Sequence, residues 1–482
     1  MRALTWSGSL TAHRRRVLAS AVAVALLASL LLPTKVDVPA GPVATKQGAR
    51  PNVVLIISDD QRVETLAGMP AVQELLVDKG TRFERGMVPT ALCCPSRATI
   101  LTGLYSHNTR VFGNGDVGGP QFGGWSQFHR RGMEYRTMAN ALQRVGYRTG
   151  FFGKYLNDFS KFAPDAYTPP GWDEFTAFKY SRGAYFGYRL TDGSFHGAGS
   201  EDYSTDVLAG LAQDFVRSTP KKEPVFVVLA PYGPHSPYVP APRHIGAADR
   251  LPDTAVPQVL PVSLRVPTAE GAQPLWFSRR QADDSDEFDG LRRGQEETLL
   301  SVDEAVASMV RTMGRTGRER DTLFVFMSDN GYLWGEHGMV GKDVPYAPAT
   351  RIPLVVRWDG HVPSGKVDRR LALNVDVAGT IARAASAEMS TDGLNLLGKP
   401  KRKGFVLEAM GGYRGRPAYC GWRTKHRMYV RWATGRTELY DYRTDPGEQT
   451  NLAGRPEVRE VQELMRTKAR AACDPEPPGF DW

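Results

Sequence analysis

The chain has 482 residues, of which 41% are hydrophobic and 23% charged, with a formal net charge of +9. That apolar content excludes an intrinsically disordered chain, and the lack of internal repeats or low-complexity tracts excludes a solenoid or fibre. Five cations against one carboxylate through Ala40 carry four of the nine charges. No lysine or arginine run elsewhere resembles a nucleic-acid arm, so the rest suits an anionic ligand or an ordinary basic surface.

The first expected element is an export segment. His13-Arg14-Arg15-Arg16 precedes an apolar run from Val17 to Leu32 that Pro33 ends. A basic flank and an apolar stretch slightly short for a spanning helix predict a signal peptide or N-terminal anchor over 1–40, loosely of the twin-arginine kind. The folded part is then secreted or held at the cell envelope. A linker at 41–50 separates it from a catalytic domain expected over 51–400.

Within that domain, continuous apolar runs predict strands at Val53–Ile57, Tyr147–Phe152, Val225–Ala230, Leu323–Met327 and Leu354–Arg357. Helical periodicity falls between them, over Ala71–Lys79, Tyr135–Val145, Tyr203–Arg217, Gln295–Met313 and Asp376–Ala385. The alternation predicts an α/β fold, a mainly parallel sheet covered by helices on both faces. Pro-rich residues 238–275 are expected to form a long surface excursion. Over 401–482 the pattern changes to short strands (Met428–Trp432, Glu438–Tyr442) and a final helix, Pro456–Ala472, which predicts a smaller antiparallel subdomain. In an oxidising compartment Cys420 and Cys473 are candidates for a disulfide, the alternative being two buried thiols.

Two strands end in acids. The first runs into Ser58-Asp59-Asp60-Gln61, the fourth into Ser328-Asp329-Asn330-Gly331. Adjacent carboxylates leaving a buried strand repel unless a cation sits among them, and ligand sites in α/β sheets lie at strand C-termini. Asp-Asp alone is equally a cap or a solvated turn, and Asn-Gly alone a turn. The duplication favours a hard, oxygen-rich metal site for Ca²⁺ or Mg²⁺. Three basic residues also follow strands or the acidic loop: Lys154, His235 and Lys342.

The run Ala91-Leu-Cys93-Cys94-Pro95-Ser96-Arg97-Ala-Thr-Ile-Leu-Thr-Gly103 resembles the signature of type I sulfatases, Cys-x-Pro-Ser-Arg followed by Leu-Thr-Gly. Thr149-Gly-Phe-Phe-Gly-Lys-Tyr-Leu-Asn-Asp158, Pro169-Pro-Gly-Trp172 and Tyr105-Ser-His-Asn108 look like the N-acetylglucosamine-6-sulfatase and heparan 6-O-endosulfatase branch. Leu439-Tyr-Asp-Tyr-Arg-Thr-Asp-Pro446 and Asn451-Leu-Ala453 are also typical of sulfatases.

The resemblance implies an alkaline-phosphatase-like architecture. It also implies a nucleophile made by oxidising Cys93 to Cα-formylglycine (3-oxoalanine), for which a formylglycine-generating enzyme is the maturation partner. Asp59, Asp60, Asp329, Asn330 and the modified Cys93 correspond to the ligands of the metal, calcium in the family. Arg97, Lys154, His235 and Lys342 correspond to the residues around the sulfate. A sulfated sugar or an aryl or alkyl sulfate is the implied substrate. The rival readings are a phosphate mono- or diester or phosphonate hydrolase of the same superfamily, and a non-catalytic envelope protein binding sulfated glycans.

One departure is visible. Many arylsulfatases have Gly-Lys-Trp-His; after Gly153-Lys154-Tyr155 this chain has Leu156-Asn157 in place of that histidine, which leaves His107 and His337 as candidates for the second-step base. Cys94, at the variable position of the motif, reads as packing.

Overall fold

A computed structural model describes residues 50–115, 123–179, 184–252, 285–412 and 415–482, with side chains left undescribed at 285–288. The expected export segment, nearly all of the linker and the Pro-rich excursion beyond residue 252 lie outside the described residues. Among these, no helix is long and apolar enough to cross a membrane.

In chain order the strands are β1 (Asn52–Ser58), β2 (Thr81–Met87), β3 (Arg148–Gly153), β4 (Glu174–Lys179), β5 (Tyr188–Leu190), β6 (Phe195–His196), β7 (Val225–Ala230) and β8 (Thr322–Ser328). They continue as β9 (Leu333–Trp334), β10 (Val340–Gly341), β11 (Leu354–Arg357), β12 (Lys366–Leu373), β13 (Phe405–Ala409), β14 (Tyr419–Arg423), β15 (Arg427–Trp432) and β16 (Thr437–Asp441). The main helices are α1 (Cys93–Thr102), α2 (Met138–Arg144), α3 (Ser204–Ser218), α4 (Ser285–Arg315), α5 (Val375–Ala384) and α6 (Arg459–Ala472).

Ten strands form one sheet in the order β12-β2-β11-β8-β1-β7-β3-β4-β5-β6. Its centre, β8-β1-β7-β3-β4, is parallel throughout. Every residue of β1, β7 and β8 is buried, as a strand covered on both faces requires. The period of two divides the core. Val53, Leu55 and Ile57 pack with Ile100 of α1, Leu142 of α2 and Ile381 of α5. Val54 and Ile56 face the opposite way, toward Leu208 and Phe215 of α3 and Val302 and Val306 of α4.

Four expectations change in detail. β11 is antiparallel to both neighbours. The helix expected over Ala71–Lys79 starts at Pro70 and continues from Gln73 to Val77 as a π-helical turn. The one expected over Tyr135–Val145 is split: Thr137, extended at ψ 158°, separates a 3-10 turn from α2, and its side chain caps the Asn140 N–H. α4 begins at Ser285, ten residues ahead of the expected start at Gln295. β13 to β16 form a separate antiparallel sheet on which α6 packs. Cys420 on β14 and Cys473 just after α6 are joined as a disulfide, with Cα atoms 6.3 Å apart.

Candidate active site

Register builds the site. Ser58 pairs with Ser328, so Asp59 and Asp329 leave adjacent parallel strands side by side. The Asp329 N–H donates to the Ser58 carbonyl at 3.1 Å, and the Asp59 N–H to the Gly233 carbonyl at 3.1 Å. On the other flank Gly153 pairs with Ala230, and the Lys154 N–H donates to the Ala230 carbonyl at 2.8 Å. Four neighbouring strand ends, β8, β1, β7 and β3, therefore deliver Asp329, Asp59, the His235 loop and Lys154 to one rim. The β9-β10 hairpin brings Lys342 to the same place.

α1 completes the rim. Leu92 is extended at φ −146°, and the helix begins at Cys93, closing at Gly103 in the left-handed conformation. Cys93 stands at the end where free N–H groups and the dipole favour anions. Its Sγ lies 2.6 Å from Lys342 Nζ and 3.5 Å from Asp59 Oδ1. Arg97, one turn further, donates through Nε to Asp329 Oδ2 at 2.7 Å and through Nη1 to the Lys154 carbonyl at 2.6 Å. Lys154 pairs with Asp59 and Lys342 with Asp60. His235 places Nε2 3.8 Å from Asp60 Oδ2, while Nδ1 faces the Ser236 carbonyl at 2.8 Å. A carbonyl only accepts, so Nδ1 carries the proton and Nε2 is the nitrogen turned to the site.

Electrostatics follow from burial. Burial by itself would raise the Asp59 carboxyl; Lys154, His235, Arg97 and Lys342 together outweigh it and hold Asp59 far below the usual carboxylate range. Asp329 is raised to about 6 by burial and by the Asp59 charge. Burial, then the Asp59 charge, pushes the Cys93 thiol up to about 12. An unmodified Cys93 is therefore a neutral thiol at physiological pH and a poor nucleophile. Cys93 and Cys94 are both free, with no bond between them. Burial lowers His235.

The donor set fits a hard cation. Carboxylate oxygens of Asp59, Asp60 and Asp329 lie within 4.8 Å of one another, and all three side chains are buried. Asn330 spends Nδ2 on Asp60 Oδ1 at 2.7 Å and on the Gly331 carbonyl at 2.8 Å. This leaves its buried Oδ1 with no donor, an oxygen that a metal would satisfy. Asp60 itself is held at φ 68°, a conformation that costs a non-glycine residue energy and is often found at functional sites.

Two candidates for a second-step base are not brought to this rim. His107 points Nδ1 at Glu408 of β13, 2.9 Å away. His337 stacks on Tyr346 and sets Nε2 3.6 Å from Glu448. Both serve the junction with the C-terminal sheet. Residues that the sequence reading did not single out support the site. Ser96 donates to the Asp329 carbonyl and accepts from Asn374 Nδ2 at 2.8 Å. Tyr185 donates to the His235 carbonyl at 2.6 Å, and Lys154 Nζ lies 5.1 Å above the Tyr232 ring. Ser96 sits inside the Cys93–Arg97 motif quoted above, which was a usable signal; Tyr185 and Tyr232 had none.

A doubly covered α/β sheet thus gathers buried acids, a helix-terminal cysteine and a ring of cations on one rim. The Sulfatase family model matches residues 51–387, and the chain belongs to that family. It is 34% identical to human N-acetylglucosamine-6-sulfatase over 369 residues, 72% of this chain and 64% of that protein. It is 33% identical to the Drosophila melanogaster extracellular sulfatase SULF-1 homolog, covering 69% of this chain and 29% of that one. The chain thus spans less than two thirds of these relatives' length. The structure of BT4656 in complex with its substrate D-glucosamine-2-N,6-O-disulfate superposes with a TM-score of 0.71 at 21% identity, over 89% of this chain and 99% of that one. The fold is therefore alkaline-phosphatase-like, as the motif resemblance implied.

Proposed function

We propose that the protein is a sulfuric ester hydrolase that removes sulfate from a sulfated sugar, with Cys93 oxidised to formylglycine as its nucleophile. The observation that carries the reading is the position of Cys93: first residue of α1, between Asp59 and Lys342, with a thiol too basic to act as it stands. Replacing that sulfur by the oxygens of a hydrated aldehyde supplies both a nucleophile and a hard ligand. Human N-acetylglucosamine-6-sulfatase and the BT4656 complex, both named for sulfated glucosamine chemistry, support a sugar substrate.

Asp59, Asp60, Asp329 and Asn330 would hold a divalent cation, calcium by family resemblance and magnesium by ligand type. When bound, that ion supplies positive charge that polarises the nucleophile and the sulfate. The chain's own residues do the rest. Arg97, Lys154 and Lys342 match the three carboxylates in charge, so with the cation the rim is net positive and attracts a sulfate monoester. The same groups are already oriented before substrate arrives, which is how charge stabilisation works in a buried site. Asp329 holds Arg97 in place through the 2.7 Å bond. Lys342 Nζ, and His235 Nε2 once the ring is protonated on both nitrogens, face Asp60 and are the groups placed to pass a proton to the leaving oxygen. We assign 51–400 to the catalytic domain and 401–482 to the C-terminal subdomain, and place the mature enzyme outside the cytoplasm after a formylglycine-generating enzyme has acted.

The test is mass spectrometry of the Cys93 peptide from the native host together with sulfate release from N-acetylglucosamine 6-sulfate. Modified Cys93 and release are expected, and Cys93→Ala should abolish release with the fold intact. Preferential cleavage of phosphate over sulfate esters, or binding of sulfated sugar without turnover by modified protein, would overturn the reading.

A further inference from the structure

A cleft of about 800 Å³ opens at the edge of the ten-stranded sheet, between the starts of β2 and β12 and the segment 396–402. None of Asp59, Cys93, Arg97, Lys154, His235 or Lys342 lines it. β2 stands three strands from β1, about 14 Å in the hydrogen-bonding direction. The cleft is a place of its own.

Its charge is one-sided. Seven lysines and arginines line it against a single carboxylate, Asp368. Arg370 takes that carboxylate at 2.9 Å and Lys366 approaches it at 3.7 Å. Arg369 pairs with Glu84 at 3.1 Å and Arg402 with Asp376. Lys399, Lys401 and Lys425 are exposed and make no ion pair among the described residues. Two of them belong to Lys399-Pro400-Lys401-Arg402-Lys403, four cations in five residues. Holding uncompensated like charges along one cleft costs Coulomb energy that a bound anion would recover. Half-buried Val362 and Leu397 add apolar surface to the lining, backed by the buried Phe83 and Leu371, and such surface suits the C–H faces of sugar rings. A single-headed anion would need one cation; three untied lysines around one cleft suit an anion with several charges.

We propose that this cleft is a second binding site, for a polysulfated oligosaccharide, separate from the catalytic rim. The choice of sulfated sugar as the polyanion rests on the sulfate-ester reading above. The cleft would retain a long substrate while individual sulfates are removed elsewhere.

The experiment compares the full-length protein with a Lys399→Ala, Lys401→Ala, Lys425→Ala variant, and with a Lys→Glu version of the same three. Binding of a heparin-derived octasaccharide is measured across salt concentrations, beside hydrolysis of N-acetylglucosamine 6-sulfate. The alanine variant should bind at least tenfold more weakly, with a log–log salt slope smaller by about 2–3, and the glutamate variant more weakly still. Hydrolysis of the monosaccharide should stay as in the wild type. Unchanged octasaccharide affinity and slope would overturn the proposal. So would cleft-dependent binding of polyphosphate or of phosphatidylglycerol vesicles without binding of the octasaccharide. Octasaccharide binding through the cleft in a protein that releases no sulfate would sink the hydrolase reading and leave the site standing.

Discussion

His235 is fixed from behind. The Ser236 carbonyl holds Nδ1 and the Tyr185 hydroxyl holds the His235 carbonyl, so only Nε2 has freedom to act. Protonated on Nε2 as well, the ring is a proton donor, and a donor matters in proportion to how poorly the leaving group carries negative charge. His235→Ala should therefore lower kcat/KM on a sugar 6-sulfate by roughly 10²–10⁴-fold and on 4-nitrophenyl sulfate far less. Equal losses on both esters would assign His235 to sulfate binding instead. Asn330 makes the corresponding case for the cation. Its unmet Oδ1 and the three adjacent carboxylates are a cluster that a divalent ion relieves. Chelator-stripped protein should gain thermal stability on adding Ca²⁺, by about 2.7 kcal/mol when free ion reaches a hundred times Kd. Asn330→Leu should blunt that gain, and an equal gain in the variant would remove Asn330 from the ligand set.

At the level of elements, the turn after β3 shows how tightly the rim is assembled. Gly153 sits at φ 128°, and a Cβ there would lie 2.0 Å from the Ala230 carbonyl oxygen of β7. Neither backbone has room to give. Gly153→Ala should cost about 2–4 kcal/mol and displace Lys154, since steric overlap adds to backbone strain. Gly132, at φ 66° with open space around it, is the control: alanine there should cost about 1 kcal/mol. Equal midpoints in denaturant for the two variants would contradict the packing argument. His107 joins α1's neighbourhood to β13. Burial lowers its pKa, and the hydrogen bond and charge of Glu408 outweigh burial, so the net shift is upward from 6.5. A raised histidine stabilises fully below pH 6.5 and loses that contribution as pH climbs through its folded value. The stability gap between wild type and His107→Asn should accordingly be widest below pH 6.5 and narrow on the alkaline side. A gap that widens with pH would show the sign to be wrong. These elements also mark what a sequence can yield. β1, β7 and β8 were legible because both faces are buried and their residues are continuously apolar. β2 (Thr81–Met87) and β12 (Lys366–Leu373) were missed because each leaves charged residues on one side. The acids and cations of the rim were readable from motifs, whereas Tyr185 and Asn374 arrive through tertiary packing alone.

On the scale of the whole molecule, charge and cysteine chemistry extend beyond any single element. Lys399–Lys403 was overlooked as a basic run because it is short and Pro400 interrupts it; only the fold sets it beside Lys425. The cysteines were more legible. Cys420 and Cys473 are 53 residues apart, and a cross-link of that span removes chain entropy worth about 4 kcal/mol from the unfolded state. Because Cys473 follows α6, the bond ties the last helix to β14 and hence to the sheet that supplies Glu408. The double variant Cys420→Ser, Cys473→Ser should lose about 2–4 kcal/mol, seen as a lower unfolding midpoint that reductant no longer affects. Four cysteines then reduce to one reactive thiol. If the bridge is formed and Cys93 has been oxidised to an aldehyde, alkylation of the denatured, unreduced protein should label Cys94 alone, and after reduction Cys94, Cys420 and Cys473. Labelling of Cys93 in fully active enzyme would refute the nucleophile. Labelling of Cys420 and Cys473 before reduction would refute the bridge. The two failures fall on different peptides, so a single digest separates them.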